Sequence, residues 1–266
     1  MLKMHKIKYF IIERVPKMLL AIVILFLALI ILLMLFPERI IFQPPRWQGM
    51  PEDAMFLETE AEKIACLYYP RADSYVILYS HGNAEDLSTV RHTLREYHDR
   101  GFAVIGYDYP GYGASTGKPS ESSAYRAIER VYKFLVEEED ISPERIIVTA
   151  YSVGSGPSCY LSSKHNFAGL ILEAPFASTF QVVFPFTGIP GDRFPNYKHI
   201  EKSKMPILIM HGKKDQIVPF RNALKLQKTA KDRVTLIVSE KAGHYNLQEK
   251  LQDDYWKAYE DFIGGL

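Results

Sequence analysis

The chain has 266 residues, a formal net charge of +1 and 47% hydrophobic residues. So balanced a charge leaves no electrostatic footprint for nucleic acid. Its two cysteines, Cys66 and Cys159, make no disulfide framework, and its eight histidines fall in no metal-ligand spacing, so two buried thiols and neither metal nor other cofactor are expected.

Residues 1–17 form a basic tail, with Lys3, Lys6, Lys8, Arg14 and Lys17 against Glu13 alone. Met18 to Phe36 follows as 19 consecutive apolar residues. At ~1.5 Å per residue such a helix reaches roughly 28 Å, close to the ~30 Å hydrocarbon layer. The run predicts a transmembrane anchor over 18–36. Its basic flank predicts a cytoplasmic N-terminus and a C-terminal part in the periplasm, cell exterior or lumen. A cleaved signal peptide is the competing reading, but Leu35-Phe36-Pro37-Glu38-Arg39 offers no small-residue cleavage site, which favours an uncleaved anchor. Beyond it, residues 37–266 carry 27 basic and 30 acidic side chains, a mildly acidic body.

Residues 37–52 read as a connector, with Pro44-Pro45 and with Trp47 where an interfacial aromatic would sit. From 53 to 266 the pattern becomes strands alternating with helices. Apolar runs at Val76–Tyr79, Phe102–Tyr107, Arg145–Tyr151, Gly169–Glu173, Pro206–Met210 and Arg233–Val238 read as strands. Helices are predicted over Glu85–Arg100, over Glu121–Glu138, where Tyr125, Ile128, Val131, Tyr132 and Leu135 recur at helical spacing, and over Asn246–Ile263. This rhythm predicts an α/β domain with a mostly parallel sheet covered on both faces.

Three features stand at turns after predicted strands. Ala150-Tyr151-Ser152-Val153-Gly154 follows Ile146–Thr149. Ala150 and Gly154, two positions either side of Ser152, let strand and helix meet at a sharp turn that lifts the hydroxyl to the sheet edge. Asp215 follows the strand ending at Met210, and His244 follows the one ending at Val238. The order Ser152, Asp215, His244 is the one associated with this sheet topology. Ser152 would be the nucleophile, His244 its base and Asp215 the holder of the imidazole. The oxyanion needs aimed donors. Gly82 in Ser80-His81-Gly82-Asn83 could turn the backbone so that the Asn83 N–H faces the pocket, with the Val153 N–H as second donor. His81 reads as an internal residue shaping that turn, and Asp108 as a structural acceptor in the turn Asp108–Gly113. Gly111, Gly113 and Gly117 do not have the spacing of a dinucleotide fingerprint.

With SHGNAE at 80–85, DYPGYGAS at 108–115, YSVGSGPS at 151–158, EAPFAS at 173–178, HGKKDQIVP at 211–219 and Gly243-His244, the chain resembles the Bem46-like α/β-hydrolases. These include single-pass α/β-hydrolase-domain proteins and related protein depalmitoylases. The resemblance runs from about Pro37 to Leu266, including Ile40–Pro45. It implies the α/β-hydrolase fold, the nucleophile at Ser152, the acid at Asp215, the base at His244 and the oxyanion donors at Asn83 and Val153. Ala150 departs from the glycine common there.

Residues 176–205 leave room only for a short lid or cap insertion. Phe176, Phe180, Phe184 and Phe186 in it suggest an apolar acyl pocket, although phenylalanines that simply cover the sheet would look the same. The function expected is hydrolysis of carboxylic esters or thioesters, with an apolar, lipid-derived or protein-bound acyl group as partner. A peptidase or amidase of the same fold, or a non-catalytic membrane scaffold, are the alternatives, and the sequence does not speak to oligomeric state.

Overall fold

The computed structural model of the protein describes residues 13–35, 37–46, 49 and 51–266. The apolar runs form strands that are buried at every position, as at β3 (Val76–Ser80), β4 (Ala103–Tyr107), β6 (Gly169–Glu173) and β7 (Ile207–Gly212). Strands without polar alternation suit a parallel sheet covered on both faces. With β1 (Met55–Glu58), β2 (Lys63–Tyr69), β5 (Ile146–Tyr151) and β8 (Val234–Ser239), they make one eight-stranded sheet in the order β1-β2-β4-β3-β5-β6-β7-β8. Strands β3 to β8 run parallel, while β2 is antiparallel to both β1 and β4.

The two-residue period of a strand divides the core in two. Val76 and Leu78 of β3 enter one cluster, Ile77 and Tyr79 the other. Each such aliphatic side chain contributes roughly 1.5–3 kcal/mol by leaving water. Helices cover both faces. In chain order they are α1 (Val15–Leu35), α2 (Pro37–Ile41), α3 (Leu87–Asp99), α4 (Glu121–Lys133), α5 (Ser155–Ser162), α6 (Thr179–Val183), α7 (Asn196–Lys202), α8 (Arg221–Ala230), α9 (Leu247–Leu251) and α10 (Asp253–Ile263). Helix α3 starts where the Asp86 carboxylate accepts the Ser88 and Thr89 N–H groups, and α4 where Ser120 accepts that of Ser123; such caps are worth about 1 kcal/mol each. Helix α3 buries Leu87, Val90, Leu94 and Tyr97 on one face of the sheet, and α4 buries Ala124, Ala127, Ile128 and Val131 on the other.

Three expectations change. The helix expected over Glu121–Glu138 is α-helical only to Lys133 and widens over Phe134–Glu138. The single helix expected over Asn246–Ile263 is broken at Gln252, whose φ of 54° no right-handed helix accommodates. The span expected over 18–36 is helical as far as Leu35, but among the described residues no helix is long and apolar enough to cross a membrane. Phe36, Trp47 and the tail residues Lys3, Lys6 and Lys8 lie outside the described residues.

Candidate active site

Strand β5 ends at Tyr151 and α5 begins at Ser155, so the chain reverses within three residues. Ser152 takes φ of 51° to do so, a left-handed conformation that costs an L-residue about 1–2 kcal/mol and persists only where its surroundings impose it. Two glycines permit the approach. A Cβ at Gly154 would lie 2.2 Å from the Ser80 carbonyl oxygen, and one at Gly156 would lie 2.4 Å from the Phe194 ring. Ala150 is fully buried between Ser80 of β3 and Leu172 of β6, and its methyl is part of the core. The departure from glycine there is accommodated.

The turns after β5, β7 and β8 converge. His244 Nε2 lies 2.9 Å from Ser152 Oγ, and His244 Nδ1 lies 2.7 Å from Asp215 Oδ2. With Asp215 ionised, Nδ1 must carry the ring proton, which leaves Nε2 as the acceptor facing the serine hydroxyl. The other carboxylate oxygen, Oδ1, accepts the Ile217 and Val218 N–H groups at 2.9 and 2.8 Å. Burial disfavours the charge of Asp215, but the His244 hydrogen bond and the two N–H groups outweigh it and hold its carboxyl below the ordinary value. His211 is also nearby, its Nε2 3.9 Å from Asp215 Oδ2. That is too far for a hydrogen bond, and burial lowers the pKa of its imidazole. Tyr151 also holds the His244 loop, donating its hydroxyl to the His244 carbonyl at 3.0 Å.

The turn after β3 works differently from the expectation. Gly82 is not left-handed; Ala84 is, with φ of 58°. Gly82 is needed for space instead, because a Cβ would lie 2.6 Å from the Tyr151 ring and 2.8 Å from Glu85 Oε2. The Gly82 N–H donates to that same carboxylate at 2.6 Å. Asn83 and Val153 both line the cavity beside Ser152. His81 is fully buried, with Nδ1 2.8 Å from the Gly82 carbonyl and Nε2 3.5 Å from Asp108 Oδ1. Burial alone would lower its pKa, and the Asp108 carboxylate reverses that and raises it. Asp108 is the acceptor expected, taking the Leu87 N–H at 2.8 Å and the Ala114 N–H at 3.3 Å. It thereby ties the start of α3 to the loop after β4.

Above Ser152 opens a cavity of about 410 Å³ whose wall is largely apolar. Phe176, Phe180 and Phe184 line it, but Phe186 does not. That ring stacks against Phe184 at 5.6 Å and remains 57% exposed, lining a separate open cleft with Arg221 and Lys225. Arg221 fixes this wall by donating to the Gln181, Val182 and Val183 carbonyls at the end of α6, where a helix leaves acceptors unpaired. Several cavity residues escaped the sequence reading, Ile41, Gln43, Tyr151 and Tyr245 among them. Tyr151 and Tyr245 flank the predicted serine and histidine, so adjacency was the available signal; Ile41 and Gln43 gave none, lying far away in sequence. Among the described residues no group of three or more His, Cys, Asp or Glu side chains is placed to hold a metal ion.

The profile of the α/β-hydrolase fold family matches residues 75–198. Human alpha/beta hydrolase domain-containing protein 17B is 34% identical over 211 residues, spanning 77% of this chain and 72% of the relative. Mouse alpha/beta hydrolase domain-containing protein 17C is 33% identical over 206 residues, spanning 76% of this chain and 64% of that protein. Among solved structures, an esterase of Pyrococcus furiosus superposes with a TM-score of 0.71 over 84% of this chain and 99% of its own, at 14% identity, a likeness of fold. The relationship to the domain-containing relatives, together with the sheet order and the turn at Ser152, makes this chain a member of the α/β-hydrolase family and a hydrolase.

Proposed function

We propose that the protein is a serine hydrolase that cleaves carboxylic esters or thioesters of apolar acyl groups. The observation that carries this reading is the continuous hydrogen-bonded line from Asp215 through His244 to Ser152 at the floor of an apolar cavity. Ser152 Oγ attacks the acyl carbon as its proton passes to His244 Nε2. The Asn83 and Val153 N–H groups receive the developing oxyanion. His244 then gives its proton to the departing alcohol or thiol, leaving the acyl group on Ser152. Water, deprotonated by His244, adds to the acyl carbon, and collapse returns Ser152 and releases the acid. The cavity's apolar wall and the exposed Val183, Ile217 and Tyr245 at its rim favour an acyl chain over a polar group.

Helix α1 supports a membrane location for this chemistry. Its described residues Met18, Leu19, Leu20, Ile22, Val23, Ile24, Leu25 and Phe26 are 51–72% exposed, an arrangement suited to lipid rather than water. In this reading the basic tail is cytoplasmic and the hydrolase domain lies on the opposite side. Protease accessibility of the C-terminal domain in sealed vesicles tests the direction, and a cytoplasmic domain would overturn it. For the activity, a fluorophosphonate probe should label the wild type and not Ser152→Ala. A folded wild type that stays unlabelled would sink the proposal. A p-nitrophenyl ester series run beside peptide amides should favour chains longer than acetate; equal rates for all chain lengths, or faster amides, would refute the acyl reading.

A further inference from the structure

Residues 41–43 lie more than a hundred positions before Ser152, yet they form part of its cavity. Ile41 and Gln43 line it, while Phe42 between them is 5% exposed and packs edge-on against Tyr112 and Phe194. At the start of this strap, Glu38 faces Arg193, with 3.3 Å between Oε1 and Nε.

The strap meets the site at one side chain. Asn83 Nδ2 donates to the Ile41 carbonyl at 2.7 Å, and Asn83 Oδ1 accepts the Gln43 N–H at 2.9 Å. The same Oδ1 accepts the Tyr112 hydroxyl at 2.7 Å. Tyr112 is itself buried, with its ring 5.4 Å from that of Tyr109, whose hydroxyl donates to the His81 carbonyl at 2.6 Å. The primary amide of Asn83 is thus held by three bonds. Its neighbour Ala84 sits in the left-handed region, where the backbone needs outside support.

We infer that the strap is a positioning device for the reaction: residues 41–43 clamp the Asn83 side chain and so aim its main-chain N–H at the oxyanion position. This rests on the reading of Ser152 as nucleophile. An oxyanion donor works only when it is fixed before charge develops, and a displacement near 1 Å can cost about a hundredfold in rate. Asn83→Ala retains the main-chain N–H but frees it from the strap.

The test uses the full chain in detergent micelles and two ligands. An alkylboronic acid adds to a serine hydroxyl and places a negative oxygen where the oxyanion forms, whereas a long-chain alcohol of equal length fills the cavity without one. Asn83→Ala should lower kcat about a hundredfold with KM little changed, and lower boronate affinity by a similar factor. Alcohol inhibition should stay within about twofold. Gln43→Pro, which removes one clamping N–H at an exposed position, should show the same pattern at about tenfold, and it carries the test if the Asn83 variant does not fold. Folded variants whose kcat and boronate affinity match the wild type overturn the inference. So does an equal loss of boronate and alcohol binding, which would make the strap a wall and nothing more. A wild type that neither binds boronate nor takes a fluorophosphonate label refutes the Ser152 reading itself, and this inference falls with it.

Discussion

Replacing Asp215 by Asn tests the proposed site most directly, because the two oxygens of Asp215 have separate tasks. Oδ1 accepts two main-chain N–H groups at 2.9 and 2.8 Å, while Oδ2 faces His244 Nδ1 at 2.7 Å. In Asp215→Asn the amide oxygen takes the place of Oδ1, since only an acceptor fits between those two N–H groups. The amide nitrogen must then face His244 Nδ1, which becomes an acceptor and sends the ring proton to Nε2. That atom stands 2.9 Å from Ser152 Oγ and can no longer take its proton. Loss of the correct tautomer should lower kcat about 10⁴-fold, roughly 5 kcal/mol of transition-state stabilisation, with KM for a short p-nitrophenyl ester nearly unchanged. The thermal melt should remain cooperative. A folded Asp215→Asn protein within about tenfold of wild-type kcat would refute the tautomer argument. The stability of the two proteins should also diverge with pH in one direction only. The Asp215 carboxyl lies below its ordinary value of 3.8 in the folded chain, so the unfolded chain binds its proton first as pH falls. The stability Asp215 contributes is present above that ordinary value and is lost as pH drops through the folded one. Any advantage of wild type over Asp215→Asn in urea denaturation should therefore shrink below about pH 4.

The turn at Ser152 makes Gly154 and Ala150 unequal partners. Gly154→Ala drives a methyl against the Ser80 carbonyl, a main-chain atom that cannot step aside, and should cost about 1–3 kcal/mol in urea denaturation. Ala150→Gly takes a buried methyl out of the core and adds backbone freedom, so it should cost about 1–2 kcal/mol, and no loss of stability would contradict the packing described. Glu173 is buried at the end of β6, where its Oε1 accepts the Tyr255 and Tyr259 hydroxyls at 2.7 Å each. Burial raises its pKa despite these bonds, so its protonated form favours folding below about 4.5 and that benefit is lost as pH rises. Glu173→Gln should gain in melting temperature relative to wild type between pH 4 and pH 8; a constant difference would show that Glu173 does not titrate with folding. Cys66 and Cys159 are free, buried and raised in pKa by that burial, so a thiol-specific chromogenic reagent should react only after denaturant is added. Rapid labelling of the native chain would contradict their burial.

Much of this was legible in the primary structure because it sits in short, continuous patterns. β3, β5, β6 and β7 are largely apolar, buried runs; Ser152 and Asp215 stand at the turns after β5 and β7, and His244 at the turn after the edge strand β8. β1 and β2 were not singled out. They are the antiparallel end of the sheet, and Met55–Glu58 is only four residues long, with a single buried position. The break at Gln252 was invisible because nothing in the local composition demands a positive φ there. Gly82 illustrates a different limit. A glycine in a turn suggests unusual backbone angles, but its actual constraint is the Tyr151 ring, which reaches it from another strand. Phe186 and Phe184 are two residues apart and chemically identical, and only the path of the chain after α6 decides that one faces the cavity and the other faces out. The bonds from Ile41 and Gln43 to Asn83 span 42 and 40 positions and use only main-chain atoms on the Ile41 and Gln43 side, so the identities of those two residues carry no sign of them.

The separations along the chain within the hydrogen-bonded line have a further consequence, for folding. Ser152 and His244 are 92 residues apart and Asp215 and His244 are 29 apart, while the central strands pair among themselves without needing the last segment. Long-range closures of this kind are entropically costly and form after local structure has reduced the search. During synthesis the central strands and the turn at Ser152 emerge well before His244. On the proposed mechanism, hydrolytic competence requires β8 to join the sheet edge and deliver the His244 loop.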